Sequence, residues 1–244
     1  MAHFYLRDDL EPADAGVGST VELSGDEGRH AVTVSRLRVG ESVAIGNGRG
    51  LVVSGEITST GPRQLSIVVE RMTVSEPRRP EIALAQALAK GDRDERAVQA
   101  ATELGVDEII PWSASRSVSR WDGPKAERGR ERWSTIVREA SKQSLRPVVP
   151  TVRAITSTRE LERLAGERRV LVLDPEADVA LSALDLDERD LVLVVGPEGG
   201  VSDSELASLA AAGAEAVRLG PEVLRTSTAG PAALALVNAR LGRW

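Results

Sequence analysis

LVLVVGPEGGVSDSE, residues 191–205, decides how the second half of this chain is read. Its first five residues are all apolar, as in a strand buried on both faces. They run directly into Gly196, Pro197, Glu198, Gly199 and Gly200. Ser202 and Glu205 then form an S-x-x-E helix start, with Leu206 and Leu209 following on one face. A glycine turn therefore joins the end of a strand to the start of a helix, where open α/β sheets bind ligands. The spacing is not that of a phosphate cradle. There is no G-x-G-x-x-G and no lysine of the G-x-x-x-x-G-K-[ST] kind, and Glu198 would repel a phosphate.

A ligand without phosphate and with positive charge suits such a loop better, and S-adenosylmethionine is one. A plain tight turn is the alternative. A second loop, RLGPEVLRTSTAGPAALAL (218–236), weighs against that alternative. Gly220-Pro221 ends a short strand, and Thr226, Ser227 or Thr228 can cap the next helix, with Pro231 near its first turn. Arg225 stands just before that helix.

Outward from these loops, strands and helices alternate. IALAQAL from Ile82, EIIPW (108–112), VLVLD (170–174) and LVLVV (191–195) read as strands. Helices are expected over DRDERAVQAATELG, about 126–144, about 202–213 and about 226–241. In the second, Trp133, Ile136, Val137 and Ala140 form the inner face, and Arg128, Arg138 and Lys142 fall opposite. The alternation implies an α/β domain with a parallel sheet. Before it, short alternating strands flank Asn47-Gly48, a hairpin signal, and suggest a small barrel. GDEGRHAVTVSRLRVG carries His30, Arg36 and Arg38 on an irregular strand or short helix. The expected division is 1–74, a linker at 75–81, and 82–244.

Composition narrows the chemistry. The 244 residues are 41% hydrophobic, enough for one large domain or two modest ones. No run of about 18 apolar residues and no basic-then-apolar leader occurs, so neither a membrane span nor secretion is expected. With no cysteine, thiolate metal sites and cysteine nucleophiles are excluded, which fits the cytoplasm. The only histidines, His3 and His30, stand near the start, so no metal site is expected in the second half. Net charge is −6, but 112–153 carries ten Lys/Arg against four Asp/Glu, while 154–190 carries five Arg against ten Asp/Glu. A basic block of that kind is a candidate RNA footprint.

Together, AKGDRDE (89–95), ATELGVDEIIPW (101–112), RSV (116–118), EASKQSLR (139–146), VVGPEGGVSDSE (194–205) and LGPEVLRTSTA (219–229) resemble the ribosomal RNA small-subunit methyltransferase E family of the SPOUT superfamily. HAVTVSRLRVGE (30–41) resembles that family's RNA-binding domain. The resemblance implies a trefoil-knotted parallel-sheet methyltransferase domain, the knot formed around 194–200 and 219–230, preceded by a PUA-like β-barrel. It implies a homodimer that uses S-adenosylmethionine to methylate N3 of a specific uridine in the decoding region of 16S rRNA within the small ribosomal subunit. One departure is Ser227, where the family often has glutamate, so no carboxylate role carries over there. A related SPOUT enzyme with another RNA target and a non-catalytic ribosome-assembly protein are the alternatives.

The candidate cofactor residues are Leu173, Gly196, Pro197, Glu198, Gly199, Gly200, Leu219, Gly220, Val223, Leu224 and Thr226. Most would act through the backbone, which glycine lets a ligand approach. Leu173 reads equally as core. Glu198 reads as a ligand contact or as an acceptor that orders its own loop. Arg225 is the candidate catalytic residue, stabilising a uridine anion without acting as a base. For RNA the candidates are His30, Arg36 and Arg38, with Lys90, Arg93, Arg116 and Arg146 as a second group. Each surface arginine reads also as merely solvated.

Overall fold

The computed structural model describes residues 3–244. Its chain divides into two compact units. One holds the described residues up to Pro77 together with Ser141–Val149, and the other holds Arg78–Ala140 and Pro150–Trp244.

In the first unit, β1 (His3–Leu6), β2 (Thr20–Leu23), β3 (Ser42–Gly46), β4 (Leu51–Thr60) and β5 (Leu65–Val74) form one sheet in the order β1-β3-β4-β5-β2. β1 lies parallel to β3 and the other pairs are antiparallel. Alternate residues of the strands point inward, so that Val43, Ile45, Val53, Ile57, Leu65 and Ile67 share one core. The Asn47-Gly48 hairpin forms, and its turn is tied by a buried side chain. Asn47 Oδ1 accepts from Arg49 N at 2.8 Å and Leu51 N at 3.1 Å, while its Nδ2 donates to Leu10 O at 3.2 Å. The stretch around His30 is helical: α1 (Gly25–Arg29) runs into a π-turn (His30–Val34).

The second unit carries a six-stranded sheet in the order β11-β9-β10-β6-β7-β8. These are β6 (Ile82–Ala87), β7 (Glu108–Trp112), β8 (Thr151–Val152), β9 (Arg169–Leu173), β10 (Leu191–Val195) and β11 (Glu215–Val217). Every neighbouring pair is parallel. The two central strands, β6 and β10, are buried along their whole length. That burial is why their sequences are continuous apolar runs rather than alternating ones. The connecting helices are α2 (Arg93–Glu103), α3 (Pro124–Gln143), α4 (Thr158–Leu164), α5 (Asp203–Ala211) and α6 (Thr226–Arg240).

Helix α6 reaches the sheet through a glycine. A methyl group added at Gly230 would lie 2.9 Å from Leu84 Cδ1 and 3.3 Å from Val195 Cγ2, so only glycine lets the helix approach β6 and β10 this closely. Lys142, read from the sequence as lying opposite the inner face of α3, is only 7% exposed and pairs with Glu27 at 3.0 Å. Its partner is distant in sequence, so helical periodicity could not show it.

Candidate functional site

Three loops at the C-terminal ends of β9, β10 and β11 converge on a cavity of about 600 Å³. The last residue of β9 and the loop after it bring Leu173, Asp174, Pro175 and Glu176. The turn after β10 brings Gly196, Pro197, Glu198, Gly199, Gly200 and Val201, and the segment after β11 brings Leu219, Gly220, Glu222, Val223, Leu224, Arg225 and Thr226. All eleven cofactor candidates read from the sequence line this one cavity, with Arg225 beside them. Leu173, open to the cavity, is only half-buried, which separates it from the wholly buried residues before it on β9.

The glycine turn is fixed from three sides. From below, buried Gln86 donates through Nε2 to Thr226 Oγ1 at 2.8 Å, and Thr226 Oγ1 donates to Gly196 O at 2.8 Å. From one flank, Arg116 Nη1 donates to Gly199 O and Val201 O, both at 3.2 Å. From the other, Glu198 Oε1 accepts from Lys90 N at 3.0 Å and from Arg93 Nη1 at 2.7 Å. Within the turn, Gly200 N donates to Pro197 O at 2.9 Å, with Gly200 at φ 72°, a conformation that suits glycine. Partial burial pushes the Glu198 carboxyl up, but backbone N–H donors and the Arg93 guanidinium outweigh it and hold it below the ordinary carboxylate value. Of the two readings of Glu198, this geometry is that of a loop-ordering acceptor.

Glu205 anchors the helix that leaves the turn. It makes the capping box with Ser202 read from the sequence, and it does more. Its carboxylate accepts from Ser115 N (2.8 Å), Ser115 Oγ (2.7 Å), Thr158 Oγ1 (3.0 Å), Ser202 N (3.1 Å) and Ser202 Oγ (2.7 Å). Burial raises the pKa, yet these neutral donors more than offset it and bring it down to about 2.

Arg225 behaves differently from the other cavity arginines. It occupies the N-cap position of α6 and is exposed. Its backbone carbonyl accepts from Thr228 N and Ala229 N, whereas its guanidinium makes no hydrogen bond or ion pair among the described residues. The charge therefore stands free at the cavity rim.

The comparisons with known proteins agree with this architecture. A family model described as an RNA methyltransferase domain matches residues 76–238, and one described as an RNA methyltransferase PUA domain matches residues 23–70. A Mycobacterium bovis protein named ribosomal RNA small subunit methyltransferase E is 42% identical over 233 residues, covering 93% of this chain and 89% of its own. A Bacillus subtilis protein of the same name is 33% identical, covering 90% of each. The chain belongs to the ribosomal RNA small subunit methyltransferase E family. The crystal structure of the methyltransferase E of Neisseria gonorrhoeae bound to S-adenosyl methionine superposes with a TM-score of 0.86 at 29% identity, covering 98% of both chains. A Legionella pneumophila methyltransferase in complex with the same cofactor gives 0.85 at 30% identity, again over 98% of both.

Within this methyltransferase E fold, the RNA candidates separate by unit. His30, Arg36, Arg38 and Arg146 belong to the first. His30 packs edge-on against Tyr5, with ring centroids 5.9 Å apart, at the start of the π-turn. Arg36 has φ 57°, a left-handed value that is uncommon outside glycine. Lys90, Arg93 and Arg116 belong to the second unit, and there the two arginines line the cavity and hold the glycine turn. Sequence reasoning missed Asp174, Glu176, Asp203 and Glu222, which also line the cavity. Asp174 and Glu176 directly follow a buried strand, and that position was the available signal. Gln86 was missed too, although a glutamine inside an otherwise apolar strand was visible.

Proposed function

We propose that this chain is an S-adenosylmethionine-dependent methyltransferase of 16S rRNA, acting at N3 of a specific uridine in the decoding region of the small ribosomal subunit. One observation carries the reading: three strand-end loops wall a cavity with Arg225 on its rim, whose guanidinium has no partner among the described residues. The cavity chemistry fits the cofactor. Backbone groups of Gly196, Gly199, Gly200, Leu219 and Gly220 are available for the adenosine portion. Asp174, Glu176, Asp203 and Glu222 supply negative charge for a cationic ligand, and of the three arginines on the wall Arg93 and Arg116 are engaged with the glycine turn. When bound, the cofactor supplies an electrophilic methyl group on a sulfonium.

The chain's own contribution is placement and charge. Uridine N3 becomes nucleophilic once its proton leaves for water, and Arg225, always protonated, stabilises the resulting anion. Neither histidine belongs to the unit that carries the cavity, and there is no cysteine. Glu198 is a poor base, because Arg93 and backbone donors hold its pKa down. Positioning therefore supplies most of the acceleration. The first unit, through His30, Arg36, Arg38 and Arg146, is the RNA-binding module in this reading. The active form is a cytoplasmic homodimer, and the chain around 194–200 and 219–230 forms a trefoil knot. The Thr226–Gly196 bond, which ties the second of these segments to the first, fits that topology.

The test is nucleoside mass spectrometry of 16S rRNA from small subunits incubated with cofactor, with and without the protein. N3-methyluridine is expected to appear only with the protein. Its absence would overturn the assignment.

A further inference from the structure

One carboxylate joins two stretches of chain at the edge of the cavity. Glu198 belongs to the turn that walls the cavity, Lys90 belongs to the segment between β6 and α2, and Arg93 is the first residue of α2. That segment is itself pinned to α2, since buried Asp94 accepts from Ala89 N at 3.0 Å. Glu198 Oε1 takes both the Lys90 N–H and Arg93 Nη1, so a shift of the 89–93 segment is felt at the turn.

The tie leaves the phosphate-seeking groups available. Lys90 is held through its backbone, and its ammonium has no partner among the described residues. Arg93 contributes only Nη1 to Glu198, and its side chain is 43% exposed. A guanidinium carries five N–H donors, so a phosphate can be bound without breaking the pair. RNA held at Lys90 and Arg93 would hold the two donors where Glu198 takes them, and Glu198 stands in the turn that walls the cavity.

We propose that Glu198 is a positioning residue through which RNA bound at Lys90 and Arg93 and cofactor bound in the cavity tighten one another. This rests on the functional reading given above. The coupling is reciprocal, as linkage between two binding sites requires.

The full-length protein tests it with S-adenosylhomocysteine, which binds without turnover. Equilibrium dialysis measures its affinity with and without saturating small ribosomal subunits, and filter binding measures subunit affinity with and without S-adenosylhomocysteine. In the unaltered protein each ligand is expected to tighten the other by the same factor, roughly fivefold or more. Glu198→Gln and Arg93→Gln break the tie from opposite sides. Either is expected to bring the factor close to one, and the double variant to lower it no further. A merely structural role predicts lower affinities with the factor intact, which overturns the proposal. A factor of one in the unaltered protein, with both ligands binding, also overturns it. Failure of S-adenosylhomocysteine to bind at all overturns the functional reading itself.

Discussion

Arg225 is the side chain on which the chemistry turns. Arg93 and Arg116 also line the cavity, but both are engaged with the glycine turn, whereas the Arg225 guanidinium has no partner among the described residues. A charge left unpaired at the edge of a cavity can be spent on a charge that develops during reaction. Arg225→Ala is expected to reduce kcat by about 10²–10³ while S-adenosylhomocysteine affinity measured by calorimetry stays unchanged. The arginine was visible in the sequence because it sits between two turn signals. Which arginines were already engaged was not visible, because their partners are more than 80 residues away.

At the level of elements, α5 is held by what its first turn binds. Glu205 brings together the segment at Ser115, the start of α4 at Thr158, and its own N-cap. Its folded pKa of about 2 lies below its ordinary 4.5, so its stabilisation is fully present above about pH 4.5 and is lost as pH falls towards 2. Glu205→Gln is expected to cost about 3 kcal/mol near neutral pH, with the gap to the unaltered protein narrowing steadily below pH 4.5. Chemical denaturation across that range checks it. The capping box was legible as S-x-x-E, but nothing in one helix start says that its glutamate also binds two other segments. The buried strands β6, β9 and β10 were legible because burial on both faces demands continuous apolar runs. The two-residue β8 and the seven-residue α4 escaped, being too short to establish a period.

For the molecule as a whole, the net charge of −6 hides where the cations stand. In the first unit Arg36 and Arg38 are exposed, and their guanidiniums have no partner among the described residues. An acidic chain that binds RNA must do so through such local groups, and those contacts release counterions. The affinity for small subunits is accordingly expected to fall steeply between about 50 and 200 mM salt, with Arg36→Ala and Arg38→Ala each flattening the slope by about one phosphate contact. Filter binding over a salt series reads this directly.

The inclusion of Ser141–Val149 in the first unit carries a consequence for how the chain is made. That segment supplies Lys142 to Glu27, and the backbone of Pro147 and Val149 to Gly50 and Gly48. A chain synthesised from its N-terminus folds its parts as they emerge. Here the first unit must wait, with Glu27 still without Lys142, until Val149 has left the ribosome. By then β6, α2, β7 and the whole of α3 have already appeared, so the first unit closes around a chain that has begun the second, while the second still awaits β8 to β11.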